Sequence, residues 1–409
     1  MNDSGIRAAL ANPDFLKVWL TGMCVGVMRW LEVLAIGVYT LEQTGSAFTV
    51  ALMYFARTAP TLVAGPLAGA LGERVNRRPL YLAGLGAVFV TAAALAALSL
   101  TGHLELCHVA VGAVIAGIAW SLEHTVRRTI ARDVVPPASV GNAISLDSGS
   151  QNATRMFGPL LGGLILATLG LSGAFMLGVV LYAIAIGLML SLRTRMPPSV
   201  ASTNTSPGFV QSLVDGVKYA LSNRMLTAVL AVTVILNLFG FPYVSMVPVI
   251  GKETLMLDPD TLGLMAAAEG FGAVLGALLL AWRVQPRAYT RLFASGSFLF
   301  VVCIQLFSHA GGFVSASALL MVAGIGLGFF AAMQSTILLT VAAPAMRGRV
   351  MGLLVVTIGA GPFGVLALGA LAEVIGAAGA LAMTSGVGLV LLVVAFIRWP
   401  ELLRPYSPD

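Results

Sequence analysis

The chain is 409 residues long, 58% hydrophobic and only 10% charged, with a mean hydropathy of +0.95. Soluble proteins carry about 25% charged residues, and charge is costly in lipid, so this composition excludes a water-exposed surface and places most of the chain in a membrane. The net charge of +6 is spread over many short segments, which excludes the single basic face of a nucleic-acid-binding protein.

A helix needs about 20 apolar residues to cross roughly 30 Å of hydrocarbon. Stretches of that length predict twelve spans, near 15–41, 47–72, 79–101, 107–131, 140–169, 172–192, 225–249, 261–282, 290–308, 313–341, 348–372 and 377–399. The first carries Arg29, Trp30 and Glu32, the second Arg57, the fourth Trp120 and Glu123. The fifth carries Asp147, Gln151, Arg155 and the pair Gly158-Pro159. Beyond the sixth, 193–223 is the longest polar connection, with Pro197, Pro198 and a Ser-rich run. It predicts an N-terminal six-helix bundle over 1–192, a linker over 193–223 and a C-terminal six-helix bundle over 224–409. In the second half Asn237 lies in the seventh span, Glu269 in the eighth, Gln305 in the ninth and Gln334 in the tenth.

Apart from Arg29, Arg57 and Arg155 inside spans and Lys252 in an opposite loop, every Lys and Arg falls on one side of this alternation. The positive-inside rule then predicts both termini in the cytoplasm. The first apolar stretch is too long for a signal-peptide core. Cys24, Cys107 and Cys303 are odd in number, and two lie in spans, so neither a disulfide framework nor a metal cluster is expected. No resident cofactor or metal is implied.

The halves match at a nearly constant offset. Ala9-Leu10-Ala11-Asn12 precedes the first span as Ala220-Leu221-Ser222-Asn223 precedes the seventh. Gly69-Ala70-Leu71 pairs with Gly276-Ala277-Leu278, and Thr129-Ile130 with Thr336-Ile337, both at offset 207; Gly158-Pro159 pairs with Gly361-Pro362 at offset 203. A repeated six-helix half predicts a solute site between halves that rock about it.

After the second span the chain reads Gly69-Ala70-Leu71-Gly72-Glu73-Arg74-Val75-Asn76-Arg77-Arg78. This resembles the loop signature of the major facilitator superfamily, with Glu73 in place of the usual Asp and Asn76 in place of Gly. Both replacements keep an acid and a residue that tolerates a left-handed turn. The resemblance implies a conformational latch made by Gly69, Glu73, Arg74, Arg77 and Arg78. Gly158-Pro159-Leu160-Leu161-Gly162-Gly163 resembles the antiporter signature of exporters in that superfamily, where Pro removes a helix hydrogen bond and the glycines permit close packing. The fourth-span signature, with an Arg midway, is missing, since Val109 to Ala119 holds no charge. Thr44-Gly45-Ser46-Ala47 and Arg132-Asp133-Val134-Val135-Pro136-Pro137 resemble the enterobactin exporters and macrolide efflux proteins. The implied fold is all-α, with twelve transmembrane helices in two pseudo-symmetric six-helix bundles. The implied protein is a monomeric proton-coupled exporter in the bacterial cytoplasmic membrane, not an enzyme.

Ionisable groups inside spans are functional candidates. Arg29 and Glu32 lie three apart and are expected to pair; Asp147, Gln151 and Arg155 step by four and predict one polar stripe. Glu123, four before Arg127, reads as a structural pair. Glu269, Glu32 and Asp147 are the candidate proton carriers. Arg29, Arg57, Gln151, Arg155, Trp30, Trp120, Asn237 and Gln334 are the candidate solute contacts, suited to an anionic, partly aromatic small molecule such as a siderophore. A divalent-metal exporter, with ligands among Asp147, Glu123, His124 and Cys303, and a lysolipid flippase are the alternatives.

Overall fold

A computed structural model describes residues 10–136, 139–194, 209–283 and 285–405, and among them every regular element is helical. The first span is one helix, Pro13–Thr44; the second is two, Ala47–Thr58 and Pro60–Arg74. Pro60 supplies no amide hydrogen, and the break at Ala59 follows from that. The third span is Arg77–Leu100, and the fourth, Leu106–Asp133, contains a widened π-helical turn at Glu123–Arg127. Val140–Leu190 follows without a loop over 51 residues. At 1.5 Å per residue a straight helix of that length would run to about 77 Å, more than twice the hydrocarbon thickness. It is two spans, separated at Gly170, whose φ of 64° and ψ of −164° no side-chain-bearing residue adopts readily.

The later spans are Arg224–Thr254, Pro259–Arg283, Tyr289–Phe307, Phe313–Val341, the broken pair Arg347–Ile358 and Gly361–Ile375, and Ala377–Arg398. The fold is thus an all-α integral membrane protein with twelve spans. Lys252, expected in a loop, lies in a helical turn, Ile250–Thr254, that prolongs the seventh span. The polar connection is likewise not wholly irregular, because Phe209–Ser222 is helical. There Asp215 meets Arg349 at 3.7 Å, and the Tyr219 hydroxyl accepts from the Ala343 amide at 3.0 Å.

The chain clusters into two compact units. The first comprises Met1–Gly45, Met53–Thr203 and Asp258–Ala267, the second Ser46–Leu52, Asn204–Leu257 and Ala268–Asp409. In the first unit the opening span packs along Val140–Leu190. Phe15, Val18, Tyr81, Leu85, Ile130 and Met189 form one buried cluster, and Met28, Leu31, Val88 and Tyr182 belong to another. In the second unit Phe241, Phe293, Phe300 and Phe330 make a network of ring contacts.

Several repeated residues do the same job twice. Asn12 caps the first span by accepting from the amides of Asp14 and Phe15, and Asn223 caps the seventh by accepting from Met225 and Leu226. Thr129 and Thr336 each bond back to the carbonyl four residues earlier, at 2.8 Å, and Ile130 and Ile337 beside them are buried. The Gly-Pro match ends differently. Pro159 lies inside a continuous helix, whereas Gly361-Pro362 opens a new helix after the break at Gly359-Ala360. Near the C-terminus, Arg224 Nε donates to Glu401 at 2.6 Å. The backbone amide of Glu401 and then Arg224 hold its carboxyl below the usual carboxylate range.

Candidate functional site: the buried charge networks of the first unit

Glu32 is buried at 8% exposure and does not pair with Arg29. Its Oε2 accepts from Arg57 Nη1 at 2.7 Å, and its Oε1 accepts from the Tyr182 hydroxyl at 3.2 Å. The reason is the break in the second span. Arg57 stands in the last turn before Ala59, and its guanidinium reaches both Glu32 and the Arg29 carbonyl, the latter at 3.5 Å.

Arg29 turns to aromatic faces instead. Its Cζ lies 3.5 Å from the Trp120 ring centre and 5.3 Å from that of Trp30. Arg155 Cζ lies 4.4 Å from the same Trp30 ring. Trp120, Arg29, Trp30 and Arg155 therefore form a ladder of alternating π faces and guanidinium groups from the first, fourth and fifth spans. Ring quadrupoles attract these cations without neutralising them.

The expected Asp147–Gln151–Arg155 stripe does not act as one group. Asp147 points to the fourth span, where Arg127 Nη2 meets it at 2.8 Å and Arg128 Nε at 3.3 Å. Gln151 stays half-buried on the fifth span, while Arg155 joins the ladder. Glu123 pairs with Arg127 as expected and also accepts from the Tyr81 hydroxyl. Arg127, 1% exposed, thus bridges two buried carboxylates. Gly22 makes its room, since a Cβ there would sit 2.6 Å from the guanidinium carbon. In the same way a Cβ at Gly158 would lie 2.5 Å from Trp30 Cβ, so this glycine lets the fifth span pack directly against the ladder.

Between the two networks is a cavity of about 20 Å³, lined in part by Arg29, Arg57, Tyr81, Trp120, Glu123 and Tyr182. It has room for a water molecule and none for a solute. Glu32, Glu123 and Asp147 are all buried in this unit. Each of those carboxylates is held by an arginine outside the ladder.

Two arginines of the loop signature have defined partners. Arg77 Nη1 pairs with Asp133 Oδ2 at 2.5 Å, and Arg78 donates to the Leu190 carbonyl at 2.8 Å. The side chains of Glu73 and Arg74, and the surroundings of Gly69, lie outside the described ones. Asn76 is not left-handed: its φ is −58°, and its side chain caps the third span by accepting from the Arg78 amide. That side-chain oxygen satisfies a first-turn amide, a bond that Gly, without a side chain, cannot make.

In the second unit Gln334 Nε2 donates to Thr233 Oγ1 at 2.5 Å, and Asn237 Nδ2 donates to the Thr233 carbonyl at 2.9 Å. Glu269 is buried at 6% exposure on Pro259–Arg283. The set Asp147, Glu123, His124 and Cys303 suits a metal poorly, because Arg127 already occupies both carboxylates. Glu105, Cys107 and His108 carry ligand-type atoms within 4.8 Å of one another. Their geometry is that of a helix cap, with the Glu105 amide donating to His108 Nδ1 at 3.1 Å. Beyond the residues the sequence singles out, the structure brings Tyr81, Tyr182, Arg128 and Thr233 into contact with them. The usable signal was a hydroxyl-bearing ring in an otherwise apolar run, which has to end on a polar partner when buried.

A family model described as transmembrane secretion effector matches residues 4–405. The chain belongs to this family of major facilitator transporters. Members of the family transport and do not catalyse covalent chemistry on their solutes, so this chain is a membrane transporter of small molecules and no enzyme. It is 26% identical to the multidrug efflux pump Tap of Mycolicibacterium fortuitum over 377 residues, covering 88% of this chain and 90% of that one. It is 21% identical to the staphyloferrin A transporter of Staphylococcus aureus over 280 residues, covering 68% and 69%. The crystal structure of the nucleoside transporter NupG (D323A mutant) superposes with a TM-score of 0.74 at 13% identity, covering 94% of this chain and 99% of that one. This last similarity establishes the fold.

Proposed function

We propose that this transporter exports an anionic, partly aromatic small molecule from a bacterial cell, by alternating access and in exchange for protons. The observation that carries the anionic class is Arg29, set on the ring of Trp120 and near that of Trp30, while Glu32, Glu123 and Asp147 are held by Arg57 and Arg127. An arginine held on ring faces keeps its charge and its planar donors for a carboxylate or catecholate oxygen. The name of one relative, the multidrug efflux pump Tap, supports export, and that of another, the staphyloferrin A transporter, supports a small-molecule solute. In this proposal Arg57 and Gln151 assist the ladder, and Asn237 and Gln334, both bonded to Thr233, are the candidate solute contacts within the second unit.

The proposed proton carriers are Glu32, Asp147 and Glu269, carboxyl groups buried in spans. Moving one charge down 100 mV releases about 2.3 kcal/mol, which sustains a solute gradient of roughly 50-fold per proton. Arg77 and Asp133, with Arg78 and the residues Gly69, Glu73 and Arg74, form the proposed latch of one access state, and Gly158-Pro159 the point where the fifth span bends. The proposal has the protein in the inner membrane as a monomer, with both termini on the cytoplasmic side.

The test is flux in proteoliposomes with an imposed pH gradient. An aromatic carboxylate loaded on the cytoplasmic side is expected to leave several-fold faster when protons can run the opposite way. A flux indifferent to the gradient and to its collapse by an ionophore would remove the proton from the proposal.

A further inference from the structure

A pair of carboxylates kept only for helix packing needs neither hydroxyl partners nor a hole beside it, because dry apolar packing of similar volume is often as stable. The first unit has both. The Tyr182 hydroxyl ends on Glu32 and the Tyr81 hydroxyl on Glu123, and both rings line the water-sized cavity together with Glu123 and Arg57. These groups come from the second, third, fourth and sixth spans, so the cavity is the point at which the two ion-pair networks approach.

We infer that Glu32 and Glu123 form one shared proton-binding site, connected through Tyr182, a water molecule in this cavity, and Tyr81. The inference rests on the proton-coupled reading above and deepens it, making Glu123 a proton acceptor rather than only a partner of Arg127. The transfer balances. The Glu32 carboxyl gives its proton to the Tyr182 oxygen, and Tyr182 gives its own to the water. The water gives one to the Tyr81 oxygen, and Tyr81 passes its hydroxyl proton to the Glu123 carboxylate. One O–H bond is broken at Glu32 and one is made at Glu123, and each relay member is restored. Tyr182 has only to turn its hydroxyl from Glu32 to the cavity once Glu32 is protonated.

The charges around the two ends suit this exchange. Glu32 faces Arg57 from the second span and Tyr182 from the sixth, with Arg29 on its own helix. Glu123 faces Tyr81 from the third span and Arg127 on its own helix. It shares the cavity wall with Arg29 and Arg57, and beyond Arg127 lies Asp147 of the fifth span, which also holds Arg128. His124 is the next residue along the chain. A single mobile proton leaves the same net charge around the cavity whether it sits at Glu32, opposite Arg57, or at Glu123, opposite Arg127.

The experiment needs no knowledge of the solute. The purified full chain in lipid nanodiscs is followed by time-resolved infrared spectroscopy after a pH jump. Glu32→Gln and Glu123→Gln assign the two protonated-carboxyl bands. The expected result is that losing either carboxylate moves the titration midpoint of the other by about one pH unit or more. In Tyr182→Phe and Tyr81→Phe, which keep the rings and their packing, the later band should rise about a hundredfold more slowly, to the same final amplitude, as befits loss of a positioned proton carrier. Bands that titrate independently, or that rise at unchanged rates in both Phe variants, overturn the shared site. If the bands are coupled while proteoliposome flux ignores the pH gradient, the shared site stands and the transport reading fails.

Discussion

Arg127→Ala is expected to lower stability by about 3–5 kcal/mol, the cost of leaving buried charges without their partner. Arg127 is 1% exposed and is shared by Glu123 and Asp147, so its removal strands two carboxylates at once. It also empties the space above Gly22, where span packing has been shaped to the guanidinium. Thermal unfolding in nanodiscs should show a marked fall in midpoint. Arg127→Lys should recover only part of it, since an ammonium does not present the planar fork that reaches two carboxylates on different helices. A triple change, Arg127→Leu with Glu123→Gln and Asp147→Asn, should restore much of the stability by removing the charges together. An unchanged midpoint in Arg127→Ala would mean that the bridge is not structural.

The second large effect concerns transport. Trp30→Leu removes the ring shared by Arg29 and Arg155. A desolvated cation–π contact contributes about 2 kcal/mol, so losing the fixed geometry should cut the apparent affinity for an anionic solute by about 30-fold. Arg29→Gln should do at least as much, because it takes away the charge as well. Arg29→Lys should fall between, keeping the charge and losing the planar stack on Trp120. Tryptophan fluorescence titrations would read the binding step, with Arg193→Gln, away from the ladder, as a control. Equal affinities in Trp30→Leu and the parent chain would sink the assignment of the ladder to solute binding.

The twelve spans were readable because membrane helices announce themselves in long apolar runs, and charge alternation checks their number. The repeat was also legible, and Asn12 with Asn223 shows why: both are N-caps, a role that few residue types fill. The helix Phe209–Ser222 was hidden by the Pro and Ser residues before it, which dominated the composition of the whole connection.

The pairing of the buried charged residues is not legible in the sequence. Spacing along one helix suggested Arg29 with Glu32 and Asp147 with Arg155. The structure pairs each acid across helices instead, with Arg57 and with Arg127 and Arg128. A fixed helical repeat says which residues share a face; it does not say what a neighbouring helix brings to that face. The kink before Pro60 decides the Glu32 partner, and no local pattern around Glu32 records it. Tyr81 and Tyr182 carry no formal charge, so their place beside the buried acids is set by neighbouring helices and not by a local pattern.

The central claim is that the first unit recognises negative charge. It is tested most directly by binding of a matched pair of solutes, an aromatic carboxylate and its uncharged amide of the same shape. The parent chain should bind the acid at least tenfold more tightly, and Arg29→Gln should erase that preference while leaving the amide unaffected. Equal binding of acid and amide, or a preference that survives Arg29→Gln, Arg155→Gln and the two together, would contradict it.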